Sequence, residues 1–218
     1  MMVYQLLTAP KNYSSWSVRP WLVMRHFDIP FEEVVAALFA EEGAKELILS
    51  WNAAGTVPVL RDGTLTIPDS LAIIEYLAEQ HPDKPIWPKE ASKRALARVV
   101  SAEMHASFMA VRNAMPMNVR ARVEGLEFDE AVLSDIARIQ HVWRTALEET
   151  NGPFLFGEFC AADAMYAPVI SRFMTYGVAL DEICRGYADA VMNVPASQEW
   201  VKIAENEPWK VDKYELGT

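Results

Sequence analysis

Cysteine is scarce in this chain: Cys160 and Cys184 are the only two among 218 residues. Two thiols with no repeated Cys or His spacing exclude a disulfide-stapled scaffold and supply no metal-ligand pattern. Basic residues are in deficit, with 20 Lys and Arg against 30 Asp and Glu and a formal net charge of -10. An acidic surface repels phosphate backbones and anionic headgroups, which argues against nucleic-acid and membrane partners. No uninterrupted apolar run reaches membrane-spanning length. The opening Met-Met-Val-Tyr-Gln-Leu-Leu lacks the basic start and long apolar core of a secretion signal, so the expected location is cytoplasmic. Neither internal repeats nor low-complexity tracts occur. What is present is ordinary globular material, 51% hydrophobic and 23% charged, enough for one large core or two small ones.

The pattern changes near residue 82. Before it, short apolar runs alternate with short helical stretches. Residues 3–7 and 31–36 read as strands, and 19–26 and 41–50 as helices. Residues 57–61 and 65–67 flank Asp62-Gly63, a tight-turn signal for a hairpin. Residues 69–81 carry Leu71, Ile74, Leu77 and Ala78 on one helical face. The order β-α-β-α-β-β-α predicts a sheet with a parallel pair and an antiparallel edge. Three prolines in residues 82–88 predict an extended linker, because proline has no N–H and restricts its predecessor. Beyond it, helices are expected over 91–113, 128–151, 161–176, 182–194 and 197–205. The expected architecture is a small α/β domain over 1–81 and an all-α bundle over 89–218.

Four segments carry polar groups where chemistry could use them. Asn12-Tyr13-Ser14-Ser15-Trp16-Ser17-Val18-Arg19 places hydroxyls ahead of a helix, where unpaired N–H groups and the helix dipole favour an anion or thiolate. Taken alone, Ser17 as an N-cap would explain it. Gly55-Thr56-Val57-Pro58-Val59 puts a proline into an apolar run. A cis Val57–Pro58 bond at a strand start would turn the Val57 backbone toward a peptide-like ligand. Asp69-Ser70 opens a helix, and capping alone would explain both residues. They could also hold a ligand ammonium and carboxylate. Cys160 to Asp163 has capping-box spacing, and its expected role is in folding.

Together these segments resemble the cytosolic glutathione transferase family over nearly the whole chain. Val57-Pro58 resembles its cis-proline turn, Asp69-Ser70 its acidic-Ser pair for the γ-glutamyl end of glutathione, and Phe159 to Asp163 its N-capping box. Ser14-Ser15-Trp16-Ser17 is similar to the Ser-Ser-Cys-Ser segment of zeta-class members, with Trp16 in place of the cysteine. The resemblance implies a thioredoxin-like α/β N-terminal domain followed by an all-α C-terminal helical bundle. It implies Ser14 as the catalytic residue, Ser15 next, and glutathione held by Thr56, Val57, Pro58, Asp69 and Ser70. A small hydrophobic electrophile would meet Tyr13, Met109, Arg112 and Asn113. An inward Arg112 could attract an acidic electrophile, and Tyr13 is a second candidate thiol donor. Glutathione is expected as a substrate, with no metal. A homodimer is expected too, with Trp51 and Trp87 as candidates for covering its interface. Two other activities stay open: a zeta-like glutathione-dependent cis–trans isomerase, and a non-catalytic binding module.

Overall fold

A computed structural model describes residues 3–37, 42–150 and 152–215. Strand β1 (Tyr4–Thr8) is followed by α1 (Ser15–His26), β2 (Phe31–Val35), α2 (Ala44–Trp51), β3 (Val59–Asp62), β4 (Leu65–Pro68) and α3 (Ser70–Gln80). The sheet order is β2-β1-β3-β4, with β1 and β2 parallel and both other pairs antiparallel. The predicted strand–helix order therefore holds. The antiparallel edge turns at Asp62-Gly63, where Gly63 adopts φ 58, the left-handed conformation that such a tight turn needs. The expected start of α2 at 41 and the expected end of the long helix at 151 lie outside the described residues.

The remaining elements are helical: α4 (Ala91–Ala106), α5 (Met109–Ala114), α6 (Glu130–Thr150), α7 (Ala161–Thr175), α8 (Glu182–Asn193) and α9 (Pro195–Asn206), ending in a short 3-10 turn, Asp212–Tyr214. Helix α7 is the axis of the molecule, buried at every position but Met174. Its start is held as the sequence predicts. Asp163 accepts the N–H of Cys160 at 2.9 Å and that of Leu155 at 3.1 Å. Trp143 packs against Tyr166, Phe173 and Tyr187 beside this helix. Helix α1 packs on α7, α3 and α9, so the two halves share one continuous core. This shared core places the N-terminus of α1 against the bundle.

Three expectations need correction. Helix α1 starts four residues earlier than the expected 19, and its N-cap is Ser14 rather than Ser17. The helix expected over 91–113 is two helices, interrupted where Ser107 is extended and Phe108 takes φ 65. Trp87 is buried inside the chain, so it cannot cover an interface with another molecule. Trp51 is half-buried with the Arg61 guanidinium stacked 3.8 Å from its ring centroid.

Candidate active site

A cavity of about 380 Å³ opens where the first turn of α1 meets the bundle. It brings together Tyr13, Ser14, Ser15, Val57, Met109 and Arg112, six of the residues expected from the sequence. Ser14 stands at the positive end of α1. Its Oγ accepts the Ser17 N–H at 3.4 Å and lies 2.8 Å from Ser17 Oγ, which in turn accepts the Ala9 N–H at 3.1 Å. The helix dipole and the Ser14 hydroxyl thus converge on one side of the cavity. Val57 lines the same space two residues before β3, and the Val57–Pro58 bond is cis.

The loop that presents Ser14 is bolted to the far end of the chain. The N–H groups of Lys11 and Asn12 donate to the two carboxylate oxygens of Glu207 at 2.7 and 3.0 Å. Lys11 O accepts the Trp200 indole N–H at 3.0 Å, and Asn12 O accepts the Val119 N–H at 3.3 Å. Burial pushes the Glu207 carboxyl above its usual range, against the two N–H bonds that pull it down. Tyr13 is spoken for as well. Its hydroxyl bonds Glu215, accepts from Arg120 Nη2 at 2.8 Å and accepts the Val211 N–H at 3.3 Å.

Asp69 and Ser70 open α3 outside the cavity lining. Asp69 adopts φ 82, and its Oδ1 accepts the N–H of Leu71 at 2.8 Å and of Ala72 at 3.3 Å. Its Oδ2 lies 3.2 Å from His105 Nε2. Ser70 Oγ is buried and, among the described residues, has no hydrogen-bond partner. Thr56 is exposed, and its hydroxyl accepts from Asn52. Met109 is 58% exposed at the cavity rim. Asn113 is exposed and does not line the cavity.

The charge here is one-sided, and sequence reading foresaw only part of it. Arg112 reaches inward, its Nε donating to Ser107 O at 2.9 Å and its guanidinium also to Met104 O. Trp16 carries Arg19 at 4.4 Å and Arg112 at 4.8 Å from its ring centroid. Arg172, from the last turn of α7, lines the cavity beside Ser15. Among the described residues, none that lines the cavity is acidic. Burial, then the neighbouring Arg112 and Arg172, hold Arg19 well below the usual arginine range. Burial and Arg112 pull Arg172 down to about 10. The signal for Arg172 was a lone cation in the apolar stretch 161–176.

Residues 13–80 match the family model for the glutathione S-transferase N-terminal domain. A probable maleylacetoacetate isomerase of Caenorhabditis elegans is 42% identical over 91 residues, 42% of this chain and 41% of that protein. The maleylacetoacetate isomerase of Rattus norvegicus is 26% identical over 175 residues, 78% of each chain. Over residues 13–80 the chain is thus similar to the N-terminal domain of glutathione S-transferases, and zeta-class members are among its relatives. The fold agrees. A glutathione transferase homolog from Burkholderia GL BGR1, solved with bound glutathione, superposes with a TM-score of 0.73 at 21% identity, covering 94% of this chain and all of that one. The chain matches about two fifths of the length of the first of these relatives. Among the described residues, no helix is long and apolar enough to cross a membrane.

Proposed function

We propose that this chain is a glutathione transferase that ionises the glutathione thiol beside Ser14 and directs it at a small electrophile in the cavity. The observation that carries the reading is the convergence of the Ser14 hydroxyl, the N-terminus of α1 and the cis-proline turn at Val57 on one cavity. The Val57 backbone would hold the peptide part of glutathione. Asp69 and Ser70 would take the γ-glutamyl ammonium and carboxylate, with the unpartnered Ser70 hydroxyl as a ready donor. A free thiol of pKa about 8.5 is only a few per cent thiolate at neutral pH. Lowering it by about two units requires roughly 2.7 kcal/mol of differential stabilisation, within reach of a hydroxyl donor plus a helix terminus in a partly dry site.

Ser14 acts as donor, not nucleophile, since no general base adjoins it in the hydrogen-bond network described above. When Ser14 turns its proton to the sulfur, Ser17 can donate to Ser14 Oγ across the same 2.8 Å. The thiolate then forms the C–S bond, and a leaving group departs with its electron pair, or a carbanion formed by addition takes up a proton. Tyr13 ranks behind Ser14 as thiol donor because its hydroxyl already serves Glu215, Arg120 and Val211.

The test is thiolate absorbance of added glutathione across pH, for the wild type and Ser14→Ala. The expected result is a lowered thiol pKa in the wild type that returns toward the free value in the variant, with glutathione affinity within a few-fold. A wild type with no lowered pKa would replace this reading with that of a binding module. A second reading, a zeta-like cis–trans isomerase, is favoured by the cationic cavity, which suits an acidic substrate, and by the relatives' names. Turnover without net glutathione consumption would select it. Homodimeric assembly and a cytoplasmic location complete the proposal.

A further inference from the structure

A buried cation is costly unless an anion or hydrogen-bond acceptors meet it. Arg172 is met only in part. Its Nε donates to Met115 O at 2.8 Å and its Nη2 to Ser15 Oγ at 3.2 Å, whereas Nη1 has no partner among the described residues. Its neighbours add to the charge. Arg112 stands close enough to disfavour its protonated form, as Arg172 and Arg112 do for Arg19. The other groups acting on these three are Tyr176 and Tyr214 on Arg172, Asp135 on Arg112, and Asp69 and Tyr166 on Arg19. None of these carboxylates lines the cavity.

The bond to Ser15 fixes what Ser15 can do. A guanidinium has donors and no acceptor, so Ser15 Oγ must accept from Arg172 and cannot return its own proton there. Ser15 is the first residue of α1 and lines the cavity next to Ser14. Its hydroxyl proton is therefore left to an acceptor in the cavity, on the side where the helix terminus already favours negative charge.

We propose that Arg172 is a positioning residue for the thiol: it turns the Ser15 hydroxyl into a second donor to the glutathione thiolate, and its charge favours that anion. This rests on the transferase reading above and adds a residue to it from the centre of the helical bundle. The arrangement explains why a wholly buried arginine is held at the end of α7, where the helix C-terminus offsets part of its charge. It also gives Ser14 and Ser15 complementary roles, one as N-cap and donor, the other as a donor oriented from behind.

The experiment is the pH titration of thiolate absorbance with glutathione alone, on the full chain, for wild type, Arg172→Met, Arg172→Lys, Ser15→Ala and the Arg172→Met/Ser15→Ala double variant. Arg172→Met is expected to raise the bound thiol pKa by about one unit, a roughly tenfold loss of thiolate below it. Ser15→Ala is expected to raise it by a similar amount, and the double variant by less than the sum. Arg172→Lys should restore part of the shift, and glutathione affinity should stay within a few-fold throughout. Ser15→Ala keeps the buried guanidinium, so it tests the relay even if Arg172→Met fails to fold. A lowered wild-type pKa that Ser15→Ala leaves unchanged overturns the relay. A pKa lowered in wild type and Ser15→Ala alike but lost in Ser14→Ala leaves the transferase reading standing and removes Ser15 and Arg172 from it. No lowered pKa in the wild type overturns both.

Discussion

At the scale of single residues, hydrogen-bond inventory separates candidates that look equal in sequence. Tyr13, Ser14, Ser15 and Ser17 stand within five positions, all carrying hydroxyls. Ser17 is turned inward to receive the Ala9 N–H, Tyr13 is held by the C-terminal segment, and Ser14 and Ser15 face the cavity. Nothing in residue type encodes that division, because it depends on where α1 begins. Asp163 shows the opposite case, since its capping role is readable from spacing and its energetics follow from burial. Complete desolvation pushes its carboxyl up to about 6, against the N–H bonds of Cys160 and Leu155 that lower it. In an unfolded chain an Asp titrates near 3.9. Between those values the folded state holds a proton that the unfolded state has released, so this group's contribution to stability falls as pH rises from about 4 to about 6. The full effect is on the order of 3 kcal/mol. Asp163→Asn does not titrate. Urea unfolding at about pH 4.5 and at about pH 7 should therefore show the wild type losing part of its advantage over the variant at the higher pH. An advantage independent of pH would contradict the argument.

At the scale of elements, periodicity predicts helices well and their interruptions poorly. Residues 91–113 carry no proline or glycine, so nothing local announces a break. The break occurs because Phe108 is buried in the core and accepts a left-handed backbone to get there, a conformation that costs a bulky residue about 1–3 kcal/mol. The consequence reaches the cavity: the carbonyls of Met104 and Ser107 are freed to hold Arg112 over Trp16. The Lys11–Asn12 loop is a second element whose geometry is imposed from outside, by Glu207, Trp200 and Val119. Glu207→Ala would leave two buried N–H groups without their acceptor. A loss of about 2 kcal/mol in urea unfolding is expected, together with weaker glutathione binding as the Ser14 loop loosens. A loss under about 0.5 kcal/mol would show that water replaces the carboxylate without penalty.

At the scale of the whole molecule, exposed apolar side chains on β4 and α4, Leu65, Leu96 and Val99 among them, are candidates for the surface of the proposed homodimer in place of the buried Trp87. Sedimentation at micromolar concentration is expected to give a dimer, and Leu96→Glu with Val99→Glu to shift it toward monomer. A wild type that sediments only as monomer would remove the assembly claim. The sequence by itself determined the order of strands and helices, the hairpin at Asp62-Gly63, the cis turn at Val57-Pro58, the caps at Asp69 and Cys160, and through them the resemblance to glutathione transferases. These are local features, written in turn chemistry, capping spacing and periodicity over a few residues. Only the tertiary structure decided which serine caps α1, where the α4–α5 break falls, and that Arg172, Arg112 and Trp16 meet Ser14 and Ser15. Those contacts join positions far apart in the chain, with Arg172 and Ser15 separated by 157 residues. Their pairing is set by the packing of α7 against α1, which no short stretch of sequence contains.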